Sequence, residues 1–141
     1  MKKILVLTIL LFSIQSFSQE KNDCDEQTFP YWSNGINSRI EGETLTLRKV
    51  FEEIQLSQTN IEPKNGFITL RLNISKTGNL CDIDAFQIDK NYKSTVFNNG
   101  QLIKELKQIA MRLTDWRKDK NYKTYNLIRF KIKNGRIEEI F

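Results

Sequence analysis

The chain has 141 residues, a formal net charge of +5, two cysteines and no histidine. A length of this order predicts one domain, and 39% hydrophobic with 28% charged residues is typical of a soluble globular protein. Without histidine the chain cannot form a Ser-His-Asp or Cys-His triad, a histidine zinc site or an imidazole acid–base catalyst.

The first 18 residues have the three-part layout of a secretory signal peptide. A basic head with Lys2 and Lys3 precedes an apolar run over residues 4–12, and Ser16 and Ser18 supply the small side chains of a cleavage site. The apolar run is much shorter than the ~20 residues that span a bilayer. We therefore expect cleavage after Ser18, a periplasmic or secreted protein, and no stable membrane span after cleavage.

Positive charge is concentrated in the C-terminal third. Residues 100–141 carry 11 Lys and Arg against 5 Asp and Glu, whereas residues 19–141 together hold 20 basic and 17 acidic residues. Such a region is typical either of a solvated face or of a surface that meets an acidic partner or an anionic envelope surface. Because the chain is predicted to be exported, we expect no nucleic-acid partner.

The two cysteines, Cys24 and Cys81, are expected to form a structural disulfide, since paired cysteines predominate in exported proteins. The alternative is a pair of reactive thiols. Acidic neighbours oppose that alternative, because Asp23 and Asp25 flank Cys24 and Asp82 follows Cys81, and nearby negative charge disfavours the thiolate.

After the signal peptide, an irregular N-terminal arm is predicted over residues 19–44. Pro30, Trp32 and the Asn34-Gly35 pair favour turns there. Thr44 or Thr46 can cap a following helix, in which apolar residues recur at helical spacing up to Ile54. Residues 45–141 are predicted to form a single domain.

A β-hairpin is the clearest predicted element. Residues 66–74 alternate between apolar and polar side chains, residues 76–79 form a turn, and residues 80–88 form a second strand. Leu80, Ile83 and Ala85 are the expected inward set. The three-residue step from Leu80 to Ile83 breaks the alternation and predicts a bulge near Cys81.

A second helix and a second hairpin complete the pattern. Apolar residues at helical spacing over 102–113 predict an amphipathic helix, residues 122–133 alternate as a long strand, and Asn134-Gly135 predicts a tight turn into a short strand over 137–141. The order α-β-β-α-β-β predicts an α+β fold: a two-layer sandwich of two helices on an antiparallel sheet of three to four strands.

This pattern resembles the C-terminal domain of the TonB family. The resemblance covers residues 66–132 and depends on a glycine, Gly66, that opens an alternating strand, on the Gly78-Asn79-Leu80 turn, on Trp116 after a helix, and on the alternation around Phe130. It implies a small periplasmic domain that binds proteins by adding a partner strand to the edge of its last long strand.

The resemblance places the binding residues on the strand over 122–131. The expected set is Tyr122, Tyr125, Leu127, Arg129 and Lys131. The predicted strand over 137–141 would cover that edge, and an occupied edge accepts no further strand. With only two prolines the sequence also has no extended proline-rich spacer. We therefore expect a free-standing relative that binds a protein or peptide in the envelope, rather than a TonB-type energy transducer.

Two other kinds of site remain as alternatives. Asp82 and Asp84 share one face of a strand and are candidates for acid–base chemistry or cation binding, although the solvent face of a half-buried strand is the simpler explanation. Trp32, Trp116 and Tyr122 are candidates for an aromatic groove in a small-ligand binder, although packing of the core and the arm is the simpler use of these rings. We predict no enzyme, no catalytic residue, no metal and no cofactor.

Overall fold

The computed structural model describes residues 23–141, so the predicted signal peptide over residues 1–18 and residues 19–22 of the arm lie outside the described residues. The structure is a mixed α+β fold with three helices and a mostly antiparallel sheet. In chain order the elements are β1 (Phe29–Pro30), β2 (Arg39–Ile40), α1 (Glu43–Val50), α2 (Glu52–Ser57), β3 (Gly66–Ile74), β4 (Leu80–Asp89), α3 (Gln101–Ala110), β5 (Trp116–Arg117), β6 (Thr124–Lys133) and β7 (Arg136–Ile140). Over residues 23–141 no helix combines the length and apolarity that a bilayer crossing requires.

The main sheet has five strands in place of the expected three to four. Its order is β1-β6-β3-β4, and β7 pairs with β6 as well. The β3–β4, β3–β6 and β6–β7 pairs are antiparallel, whereas β1 is parallel to β6. The extra strand comes from the arm, whose backbone pairs with β6 at Thr124 and Tyr125. A separate two-stranded sheet joins β2 to β5.

The predicted bulge in the first hairpin is confirmed. Asn73 lies opposite Asp82 and Ile74 lies opposite Leu80, so Cys81 is the unpaired extra residue. The extra residue of a bulge shifts the alternation of the strand by one position. Leu80 and Ile83, three residues apart, can therefore lie on the same side of the sheet as Ala85, which follows Ile83 by two. Leu80, Ile83 and Ala85 accordingly pack against the core, as predicted.

The predicted first helix is interrupted. Phe51 has φ −98° and ψ 6° between α1 and α2, and its ring is fully buried against Phe130, with 4.9 Å between ring centroids. The predicted threonine caps are wrong. Gly42, in a left-handed conformation, occupies the cap position, and the Thr46 hydroxyl instead donates to the carbonyl of Glu41.

One buried cluster unites the helices with one side of the sheet. The inward side chains of β3 and β6 pack with Phe51, Leu102 and Leu106 in this cluster. Regular helix in α3 ends at Ala110, three residues before the predicted end, and Leu113 continues the core from a turn. The opposite side of the sheet carries the outward residues of β3, β4 and β6, and we call it the outer face.

The arm is fastened to the domain more regularly than predicted. The Cys24–Cys81 disulfide is present, with an S–S distance of 2.01 Å. The amide of Phe29 donates to the carbonyl of Lys123 at 3.0 Å. Further along, the buried Ser38 and Asn126 bind one another. The arm therefore contains two short strands and a 3-10 turn at Ser33–Gly35 rather than irregular chain alone.

Candidate binding face and strand edges

The edge of β6 that faces away from β3 is largely covered, as the hairpin predicted. β7 pairs with residues 130–133, and the amides and carbonyls of Arg129 and Phe141 bond reciprocally at 2.7 and 3.0 Å. At the other end β1 pairs with Thr124 and Tyr125. Within the described chain, residues 126–128 are the part of this edge that pairs with neither β7 nor β1. That interval is too short for a continuous added strand.

The structure places four of the five predicted binding residues on the outer face. Tyr125, Leu127, Arg129 and Lys131 alternate with the buried residues of β6. Tyr122 precedes β6, and its ring packs edge-on against Phe29 at 5.4 Å between centroids. The sequence therefore predicted correctly which side chains of β6 face outward. Tyr122, which was predicted to belong to the same set, lies before the strand and packs against the arm.

Lys131 forms ion pairs with two glutamates of β7. Its Nζ lies 2.8 Å from a carboxylate oxygen of Glu138 and 3.4 Å from one of Glu139. Hydrogen bonding to Glu138 raises the pKa of Lys131, and the bonds that Glu138 accepts from Lys131 and Lys133 lower the pKa of its carboxyl. Lys131 is thus a poor candidate for direct contact with a partner.

A shallow depression of about 340 Å³ lies on the outer face and is lined by residues of β3, β4 and β6. Its walls contain apolar side chains and two arginine guanidinium groups. The lining residues are Thr69, Arg71, Phe86, Ile88, Tyr125, Leu127 and Arg129. Phe86 is 55% exposed and Leu127 is 40% exposed. Exposed apolar side chains are informative when they lie together, and Phe86, Ile88 and Leu127 line the same depression.

The two arginines of the depression have no acidic partner in the described part of the chain. The Arg71 guanidinium lies over the Tyr125 ring, 4.2 Å from its centroid. Its Nε is buried and donates no hydrogen bond to any described residue. The Nε of Arg129 donates to the Thr69 hydroxyl at 3.3 Å. The arrangement therefore places positive charge beside apolar surface.

An aromatic ridge extends the depression toward the arm. The Trp32 ring contacts Tyr125 edge-on at 6.0 Å and Tyr31 at 4.7 Å, and Trp32 remains 59% exposed. The sequence patterns did not indicate Arg71 or Phe86 as binding residues, and they indicated Trp32 only for the alternative aromatic groove. A signal was available in Phe86 and Ile88, because they are large apolar residues at the outward positions of a strand whose inward set was already identified.

The three aromatic residues of the alternative groove each pack against a different neighbour. Trp32 lies on Tyr125, and Tyr122 lies on Phe29. Trp116 packs against the core, and its indole Nε1 donates to the Leu113 carbonyl at 3.3 Å. These contacts hold the arm and the end of α3 and do not build a shared groove.

The paired aspartates lie exposed on the outer face of β4. An Asp84 carboxylate oxygen accepts a hydrogen bond from the Asn73 amide at 3.2 Å. Throughout residues 23–141 no group of three or more acidic or cysteine side chains is placed to hold a metal ion. A separate cleft of about 480 Å³ lies between α1–α2 and α3, with Val50, Ile54 and Ile109 among its apolar walls.

Comparison with known proteins adds no assignment: no protein-family model, curated protein or solved structure matches this chain.

Proposed function

We propose that the protein is an exported, non-enzymatic module that binds a protein or peptide partner through the outer face of its sheet. The observation that supports this function is the depression formed by Arg71, Phe86, Leu127 and Arg129. Its exposed apolar surface lies beside guanidinium groups that form no ion pair with any residue over 23–141. In this account the helices and the main sheet form a two-layer sandwich. The helices bury one side of the sheet, and the other side is available to a partner.

The side chains of the depression favour a partner segment that carries a carboxylate next to an apolar residue. An incoming carboxylate would pair with the guanidinium group of Arg71, which lines the depression and forms no ion pair with a described residue. Arg129 lies across the same depression, and Phe86 and Leu127 offer contact to a ring or an aliphatic chain. An acidic partner also agrees with the concentration of basic residues over 100–141.

An exported location is supported by the disulfide between Cys24 and Cys81. Disulfides persist in oxidising compartments, such as the bacterial periplasm or the extracellular medium, and are rare in the cytosol. The predicted signal peptide agrees with this location. The function is accordingly assigned to the periplasm or the exterior.

Membership among relatives of the TonB C-terminal domain remains part of the proposal, and it depends on the pattern over residues 66–132. The covered edge of β6 argues for a different mode of binding from strand addition at that edge, because β7 and β1 occupy it. We therefore place recognition on side chains of the outer face. Fold resemblance alone would not fix this choice.

The test uses labelled synthetic peptides of roughly ten residues. One set places Asp or Glu beside Phe, Leu or Tyr, and the matched set replaces each acid by its amide. Affinities are measured by fluorescence anisotropy for the wild-type protein and for Leu127→Asp and Arg129→Glu. Matched controls are Leu56→Asp and Arg48→Glu, which change exposed residues of the same types on the helices.

The proposal predicts selective binding of acidic peptides and at least a roughly tenfold loss in each outer-face variant, about 1.4 kcal/mol. The two helix variants should bind as the wild type does. Equal binding of acid and amide peptides, or equal losses in outer-face and helix variants, would show that the outer face is not the binding surface.

A further inference from the structure

β4 forms an end of the main sheet, and part of its free edge is covered by the chain that follows it. Ser94 forms an antiparallel bridge with Ile88. The amide of Asp89 donates to the carbonyl of Lys93 at 2.9 Å, and the amide of Thr95 donates to the carbonyl of Gln87 at 3.2 Å. The backbone groups of Gln87 and Asp89 therefore point away from β3.

The same geometry leaves the rest of this edge open. Backbone groups of successive residues in an antiparallel strand point alternately to one neighbour and to the other. Since Gln87 points away from β3, so do the N–H and C=O groups of Ile83 and Ala85. In the described chain β4 pairs along its length with β3 alone, and the Ser94 bridge lies beyond these residues. Residues 82–86 thus form an exposed strand edge.

We propose that residues 82–86 accept an extended segment of a partner protein as an additional strand, and that this segment carries basic side chains opposite Asp82 and Asp84. Both carboxylates are exposed on the outer face, and neither forms an ion pair with a described residue. Opposite charges on directly facing residues of neighbouring strands attract, and like charges repel. The edge therefore selects lysine or arginine at those positions.

The other side of the added strand would be apolar. Ile83 and Ala85 are half-buried and pack against the core. Side chains of an added strand alternate between the two sides of the sheet. An occupant with basic residues on the outer face and small apolar residues on the core side extends both surfaces of the sheet.

A second copy of this chain is a poor occupant of the edge. Antiparallel pairing of β4 with itself brings the aspartates of one chain, Asp82 and Asp84, against those of the other, and facing carboxylates destabilise such a pair. Charged residues on an edge strand protect proteins from this kind of self-association. The inference goes beyond the proposed function, because it uses the backbone edge of β4 in place of the side chains of the depression and has the opposite charge preference. Phe86 borders both places, but neither binding event requires the other.

The probe is an acetylated and amidated seven-residue peptide, Thr-Val-Lys-Val-Lys-Val-Thr, and the control peptide has Glu in place of each Lys. Binding is measured by calorimetry, and exchange of the Ile83 and Ala85 amides is followed by NMR. The protein variant is Asp84→Lys. Asp115→Lys, which makes the same charge change at an exposed position outside the main sheet, is its control.

The proposal predicts saturable binding of the lysine peptide, exchange of the Ile83 and Ala85 amides slowed about tenfold or more, and weaker binding of the glutamate peptide. Asp84→Lys should reverse that preference, and Asp115→Lys should not. If Asp84→Lys fails to fold, the two peptides still test the preference on the wild type. Unchanged exchange of both amides, equal binding of the peptides, or concentration-dependent protection of these amides without peptide would overturn the proposal.

Discussion

Asn126 holds the arm on β6 with both ends of its side-chain amide. The Ser38 hydroxyl donates to its Oδ1 at 2.7 Å, and its Nδ2 donates to the Ser38 carbonyl at 2.9 Å. Both residues are buried. A polar residue at an inward position of β6 thus has a partner at each end of its amide, and hydrogen-bonded polar groups are the kind that cores tolerate.

Replacing Asn126 by Ala should leave the hydroxyl and the carbonyl of Ser38 buried without a partner. We expect the free energy of unfolding in urea to fall by about 1–3 kcal/mol. Asn91→Ala, at an exposed loop position, is the control and should change it by less than about 0.5 kcal/mol. Equal effects of the two substitutions would contradict the role assigned to Asn126.

Glu138 joins β7 to β6 through two lysines. Its carboxylate oxygens lie 2.8 Å from the Nζ of Lys131 and 3.0 Å from the Nζ of Lys133. The hydrogen bond from Lys131 is the largest cause that lowers the pKa of Glu138 below its ordinary 4.5. A lowered pKa means that the folded state favours the charged carboxylate.

The pH dependence of this contribution has a definite sign. The stabilisation by Glu138 is present above its ordinary pKa and is lost as the pH falls through its lower pKa in the folded protein. Glu138→Gln should therefore lower the melting temperature at pH 7, and its difference from the wild type should shrink as the pH falls below about 4. Calorimetry over a pH series measures this. A difference that stays constant with pH would contradict the assignment, and Glu53→Gln, which removes no ion pair between described residues, is the control.

At the scale of the elements, Gly66 permits the start of β3 to approach β4. Its φ is +155°, and a Cβ built there would lie 2.1 Å from the carbonyl oxygen of Ile88 and 2.9 Å from the Cα of Asp89. The obstacle is backbone, which cannot move without disturbing the β3–β4 ladder. Gly78, in the turn of the same hairpin, has φ +92° and no atom within 4 Å of such a Cβ.

The two glycines should therefore differ when each is changed to alanine. Gly66→Ala is expected to lower the free energy of unfolding by about 3 kcal/mol, since overpacking against backbone adds to strain. Gly78→Ala should cost about 1 kcal/mol, from the left-handed conformation alone. Urea unfolding of both variants measures the difference, and equal costs would show that the approach of β3 to β4 does not constrain Gly66.

Long periodic elements could be predicted from the sequence, and short ones could not. The alternation of β3 and β6 and the stripe of α3 each repeat over many residues, so one exception does not hide the pattern. β1 consists of Phe29–Pro30, which is too short to show any period. The break between α1 and α2 occurs at Phe51, whose ring packs in the core. This is a tertiary contact, and the spacing of apolar residues along a helix does not predict it.

At the scale of the whole molecule, the candidate site was predictable only in part. The alternation of β6 placed Tyr125, Leu127 and Arg129 on one face, and the structure confirms that face. The contribution of Arg71 and Phe86 depends on β3 lying between β4 and β6. A single sequence does not encode strand order in a local pattern, so the residues that complete the depression emerge only from the folded sheet.

The whole molecule therefore presents two surfaces with opposite charge preference. The depression offers Arg71 and Arg129 without acidic partners in the described chain, and the open edge of β4 offers Asp82 and Asp84. The helices contribute the cleft beside Val50 and Ile109. A map of the bound surface distinguishes among these three places. Phe86 is common to the depression and the edge, so protection that extends to β3 and β6 marks the depression and protection confined to β4 marks the edge. Protection of the helices marks the cleft.

The most direct test of the outer face is hydrogen exchange measured by mass spectrometry, with and without the tightest acidic peptide from the binding series. Binding at the depression should slow exchange in segments that contain residues 67–71, 84–88 and 125–129 and leave α1, α2 and α3 unchanged. Protection confined to α1, α2 and α3, which line the cleft, would contradict the account and move the binding site to the other side of the sheet.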